Sequence, residues 1–206
     1  ALAGVPVAAP SANTSGRPSP TTADHVWQDL NGKIEMIIDG GPVGIGVEST
    51  IVDVSGDVPA VLRPGAITME MLKDVLGEVT IDPAILGPMA EGVRPKAPGM
   101  KYKHYAPNAE VTVVEGEKDA VQSKIKELLE QTEGKVTGVL TMYGAVYDKA
   151  VMLSAGSTNK EDAKNLFAAL REFDELGVEV VFAEFSEKDG YGLAVKNRLY
   201  KAAAQR

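Results

Sequence analysis

The chain has 206 residues, room for one large domain or two ordinary ones. Hydrophobic residues make up 44% and charged residues 24%, a globular composition rather than a disordered one. With no cysteine there is no disulfide, no thiolate nucleophile and no sulfur-built zinc site; a net charge of -8 and a pI near 4.9 argue against whole-surface attraction to nucleic acid or anionic lipid. No apolar run approaches the ~20 residues a membrane span requires. The opening ALAGVPVAAP lacks the basic start of a secretory signal. The expectation is a soluble, cytoplasmic protein. The chain starts at Ala1 inside what reads as a strand, a first hint of truncation.

In chain order, residues 4–9 (GVPVAA) read as a short apolar strand ending at Pro10. Residues 21–32 read as a helix, with Thr21 or Thr22 as cap, Asp24 in the first turn and Gly32 as stop. A strand at 34–39, a glycine-rich turn at 40–46, and strands at 49–55 and 60–63 follow, then a helix from Thr68 to Leu76 ended by Gly77. Residues 91–106 are basic and Pro-rich without periodicity and read as a linker between two acidic blocks. Beyond a boundary near Pro107, strands at 111–115, 136–142, 151–156 and 178–185 alternate with helices at 118–133, 160–176 and 193–204. That alternation indicates a parallel α/β sheet. The domains expected are therefore 1–90, the linker 91–106 and 107–206.

Only two histidines are present, and no H-E-x-x-H, G-x-S-x-G, P-loop or dinucleotide fingerprint appears. That argues against a protease, a zinc enzyme or a Rossmann dehydrogenase. Four stretches remain. Residues 10–21 (PSANTSGRPSPT) crowd Ser11, Asn13, Ser19 and further hydroxyls into a loop after a strand. Hydroxyls and free N–H groups there can hold a phosphate or carboxylate, or simply make local turns. Ser49 and Thr50 open an apolar strand, so one faces inward and needs a partner. Arg63 ends AVLRPG and can act as a phosphate fork or a surface ion pair. In the linker, Arg94, Lys96, Lys101, Lys103 and His104 interleave with Tyr102 and Tyr105, a pattern that suits a nucleotide or a solvated tether.

In order, residues 6–21 (PVAAPSANTSGRPSPT), 46–53 (GVESTIVD), 62–68 (LRPGAIT) and 97–107 (APGMKYKHYAP) resemble the threonylcarbamoyl-AMP synthases, in the longer form that carries a YrdC-like domain, a linker and an extra C-terminal domain. The resemblance extends to residues 189–203 (DGYGLAVKNRLYKAA) and covers essentially the whole chain. It implies the C-terminal part of a YrdC-like twisted α/β sheet domain followed by a smaller Rossmann-like parallel α/β domain. It implies a nucleotidyltransferase that joins L-threonine, bicarbonate and ATP into threonylcarbamoyl-AMP, with pyrophosphate released and Mg²⁺ on the phosphates. The product would feed tRNA N6-threonylcarbamoyladenosine modification. By the same resemblance, Ser11, Asn13, Ser19, Arg63 and Tyr102 would contact ATP, the backbone at Ala9 and the hydroxyl of Ser49 would hold threonine, and Lys101 and His104 would belong to a lid. The family's K-x-R motif lies upstream of anything seen here. The chain is therefore expected to be a C-terminal portion, inactive alone, with its exposed sheet covered by another copy or a further fragment. The alternative class is a non-catalytic nucleotide- or tRNA-binding module.

Overall fold

The structure is a computed structural model that describes residues 2, 4–85, 95–97, 104–132, 134–186 and 190–203. Two sheets organise it. The first is small: β1 (Ile51–Asp53) pairs antiparallel with β2 (Ala60–Arg63), which pairs parallel with β3 (Thr80–Ile81). One helix precedes this sheet in the chain and one lies between β2 and β3. Thr22 caps α1 (Ala23–Leu30), its hydroxyl accepting from His25 N, and Thr68 caps α2 (Met69–Leu76) through Met71 N. Gly77 takes φ 79° and stops α2.

The second sheet is entirely parallel: β4 (Glu110–Glu115), β5 (Thr137–Thr141), β6 (Val151–Ser154) and β7 (Val180–Phe185), in spatial order β4-β7-β5-β6. Side chains alternate as the two-residue period requires. Val139, Val180 and Phe182 pack with Val121 and Ile125 of α3 (Lys118–Glu130) on one face. Leu140, Val181, Ala183 and Phe185 pack with Leu166, Phe167, Leu170 and Phe173 of α4 (Asn159–Glu175) and with Val195 and Leu199 of α5 (Gly192–Ala203) on the other. These helices and strands follow the apolar stripes of the sequence closely.

Two expected strands are absent. Residues 4–9 and 34–39 carry no ladder, and Val5, Val7, Met36 and Ile38 are exposed. The apolar pattern suits a strand, but a strand exists only through a hydrogen-bonded neighbour, and neither run forms a ladder with any described segment. Strand β3 and a 3₁₀ turn at Pro83–Ile85 arise where periodicity had marked nothing. Of the linker, residues 91–94 and 98–103 lie outside the described residues. Lys96 sits 4.0 Å from an Asp53 carboxylate oxygen and 3.9 Å from one of Asp82, so this linker cation faces the first sheet's acids.

The two parts of the chain meet on buried charge and close backbone contact. A Cβ on Gly46 would stand 2.0 Å from the carbonyl oxygen of Lys164 in α4, so only glycine fits the loop against that helix. Gly46→Ala is expected to cost about 1–3 kcal/mol by forcing the loop off the helix. A thermal melt reads this as a lowered midpoint; an unchanged midpoint would show that the loop shifts freely.

Candidate nucleotide and amino-acid pocket

One open cavity of about 520 Å³ lies in the N-terminal part of the chain, lined by residues between Ala9 and Arg63. Ala9, Pro10, Ser11, Ser19 and Pro20 form one wall, residues Val43 to Ser49 another, and Arg63 closes it from the end of β2. Its size is ordinary for a small-molecule site. Ala9, Ser11, Ser19, Ser49 and Arg63, drawn from three separated stretches of sequence, thus share one lining.

Local chemistry shapes each wall. Ala12 adopts φ 57°, a left-handed turn uncommon for a residue with a Cβ, and this folds Ser11 back on Asn13. The Ser11 hydroxyl donates to Asn13 Oδ1 at 2.5 Å, while Asn13 Nδ2 donates to the carbonyls of Thr14 (3.1 Å) and Arg17 (3.0 Å). Asn13 is therefore a brace inside the loop, behind Ser11 and off the pocket lining. The loop is tied further by Thr14 N donating to Asp29 Oδ2 at 2.9 Å.

The pair at 49–50 divides its duties. Thr50 Oγ1 donates to the Ile67 carbonyl (2.7 Å) and accepts from Ile67 N (3.1 Å), which meets the need of a hydroxyl in an apolar strand. Ser49 points to the pocket. Arg63 donates through Nε to the Ser49 carbonyl (3.0 Å) and through Nη2 to its hydroxyl (3.3 Å), which fixes the guanidinium at the rim.

The lid candidates are seen in part. Tyr102 and Lys101 lie outside the described residues. His104 is off the lining; its backbone N–H donates to the Lys201 carbonyl at 3.2 Å and its ring lies 4.9 Å from that of Tyr105. Burial holds the His104 imidazole below its usual pKa, against the pull of Glu48 and with help from Lys201 and Arg63. The buried Tyr105 ring stands between the guanidinium of Arg198 (5.5 Å) and the ring of Phe167 (5.2 Å).

Sequence reading missed Glu48 as a lining residue and passed over two arginines of the C-terminal part. Glu48 accepts from the Ser19 hydroxyl at 2.5 Å and from Arg198 Nε at 2.9 Å. Arg171 forks onto both oxygens of Asp29 (3.1 and 2.8 Å) and donates to the Pro18 carbonyl through Nε (3.1 Å) and Nη2 (2.6 Å). Both guanidiniums are buried to within 1%. Their helices are amphipathic, so an arginine on the apolar stripe of α4 or α5 was the available signal. Among the described residues, no group of three His, Asp or Glu side chains is placed to hold a metal. Glu48, the one lining carboxylate among the described residues, already has two partners.

The model of the "Threonylcarbamoyl-AMP synthase, C-terminal domain" family matches residues 67–204, and that of a family described as "Telomere recombination" matches residues 1–65. The chain belongs to the threonylcarbamoyl-AMP synthase family. It is 52% identical over 203 residues to the threonylcarbamoyl-AMP synthase of Pyrococcus abyssi and 45% identical over 207 residues to that of Bacillus subtilis. Each match takes in 98% of this chain but 58% of the relative, so the chain spans little more than half the length of the synthases it matches. The crystal structure of P. abyssi Sua5 complexed with L-threonine superposes with a TM-score of 0.87 at 52% identity, covering 94% of this chain and 56% of that one. The α/β fold expected from sequence is therefore the fold of a synthase whose crystal structure contains threonine. No helix among the described residues is long and apolar enough to cross a membrane.

Proposed function

We propose that the complete protein carrying this chain is an L-threonylcarbamoyladenylate synthase, which joins L-threonine, bicarbonate and ATP and releases pyrophosphate. The observation that carries this reading is the shared lining of Ala9, Ser11, Ser19, Ser49 and Arg63 in one cavity. In this reading Ser11, Ser19 and Arg63 face ATP, with Asn13 bracing Ser11, and Ala9 with Ser49 faces threonine. Tyr102, Lys101 and His104 belong to the linker at 91–106, which acts as a lid and keeps water from the mixed anhydride.

The chemistry asks for positioning and charge neutralisation more than for a nucleophilic side chain. The threonine amine first attacks the carbon of bicarbonate, and as the N–C bond forms a C–O bond breaks and water leaves, which gives a carbamate. A carbamate oxygen then attacks the α-phosphorus of ATP, its bond to phosphorus forms as the bond to the bridging oxygen breaks, and pyrophosphate leaves with that electron pair. A lining of hydroxyls and a fixed guanidinium suits this step. Mg²⁺ enters on the triphosphate as part of the substrate, which agrees with a pocket whose one carboxylate is already engaged by Arg198 and Ser19. The product supplies tRNA N6-threonylcarbamoyladenosine modification in the cytoplasm. Pyrophosphate release from ATP by the complete protein is expected to require both threonine and bicarbonate. Nucleotide binding without such release would favour a non-catalytic nucleotide-binding module instead.

A further inference from the structure

Ser19 is gripped from two sides by the C-terminal part of the chain. On its backbone side, the carbonyl of Pro18 accepts two bonds from Arg171 of α4, at 3.1 and 2.6 Å. On its side-chain side, the hydroxyl donates to Glu48 Oε1 at 2.5 Å, and the other Glu48 oxygen accepts from Arg198 Nε of α5 at 2.9 Å. Arg198 Nη1 also donates to the Pro64 carbonyl at 2.7 Å, one residue beyond Arg63. The Arg198 side chain is fully buried and that of Glu48 is 11% exposed, at the pocket wall.

A serine hydroxyl has one proton and two lone pairs. Here the proton is committed to a carboxylate that Arg198 holds in place. The geometry points to Arg198 and Glu48 as positioning residues that set the polarity of Ser19, so that its oxygen faces the pocket as an acceptor and takes an O–H or N–H donor of the bound nucleotide, not a phosphate oxygen. This rests on the reading of the cavity as an ATP site. It also gives the C-terminal domain an indirect part in substrate binding: α5 reaches the nucleotide through Glu48 and Ser19, without contacting it. Without Arg198, Glu48 would be left at the wall with Ser19 alone; without Glu48, the Ser19 proton would be free to turn into the pocket, where it opposes a donor instead of accepting from it.

The test uses the complete protein, with ATP binding measured by calorimetry and folding by thermal melts. Glu48→Gln keeps the volume and offers an N–H toward Ser19, so the hydroxyl's proton is no longer taken up. It is expected to weaken ATP binding about tenfold, and Arg198→Lys, which keeps the charge but loses the fork, is expected to act in the same direction. The decisive readout is coupling: in a Ser19→Ala background, Glu48→Gln is expected to cause less than a twofold further loss, because its effect passes through the Ser19 oxygen. A purely structural role would lower the melting midpoint and leave ATP affinity unchanged, or would weaken binding equally with and without Ser19; either result overturns the proposal. If Arg198→Lys fails to fold, the Glu48 and Ser19 cycle decides alone. Failure of the wild-type protein to bind ATP would refute the ATP-site reading beneath it, whereas normal wild-type binding with unaffected variants refutes the relay alone.

Discussion

Arg171→Met is expected to remove about 3–5 kcal/mol of stability, because it leaves a buried carboxylate without its fork partner. Asp29 has no exposed side-chain surface, and both its oxygens are bound by Arg171. After the substitution it keeps Thr14 N and Arg17, whose guanidinium is 2.9 Å away but partly in water. The Pro18 carbonyl loses both of its donors as well. For a chain of this size the midpoint should fall by about 10 °C in a thermal melt. A drop of under about 2 °C would mean that the two parts of the chain are held together elsewhere.

The same pair predicts a pH dependence with a definite sign. Burial pushes the Asp29 carboxyl up, but hydrogen bonds from Arg171 and Thr14 and the charges of Arg171 and Arg17 outweigh it, so its pKa is lowered on folding. A carboxylate with a depressed folded pKa contributes stability that is fully present above its unfolded value and is lost as pH falls through the folded one. Asp29→Asn should therefore flatten the acid limb of the stability profile. Asp174 acts in the opposite sense: burial raises its pKa on folding, so its part of the profile declines as pH rises between its unfolded and folded values.

The second large effect is on binding. Arg63→Ala in the complete protein is expected to weaken ATP binding about 10- to 100-fold, the range for losing charge-assisted hydrogen bonds of about 1.5–3 kcal/mol. Arg63 is only half-buried and ends its strand, so the stability cost should stay near the ~1 kcal/mol of its hydrogen bond to the Ser49 carbonyl. Arg63→Lys should recover part of the affinity, since a lysine keeps the charge but cannot hold Ser49 and a phosphate with one planar fork. ATP affinity unchanged in Arg63→Ala would remove this residue from the site.

These expectations separate two kinds of information in the chain. Local patterns suffice for α3, α4 and α5 and for β4 to β7, because each carries its own apolar stripe or alternating face, whichever neighbour it is buried against. They fail for residues 4–9 and 34–39, whose apolar runs read as strands yet pair with no strand among the described residues. They also fail for Glu184. It sits wholly buried in β7, where its carboxylate accepts from Met142 N (2.8 Å), Tyr143 N (3.1 Å) and the Tyr147 hydroxyl (2.5 Å) to hold the loop that joins β5 to β6.

The pocket shows the same division. Ser11, Asn13, Ser19, Ser49 and Arg63 could be singled out one at a time from residue type and from resemblance to a family, since hydroxyls and a guanidinium at strand ends declare their chemistry locally. That four of them line one cavity while Asn13 stands behind as a brace is a matter of how the loops cross. Most hidden were Asp29, Glu48, Arg171 and Arg198: their partners lie 142 and 150 positions apart in the chain. Charges at that separation carry no periodicity and no motif, and only packing that takes them out of water makes their pairing strong.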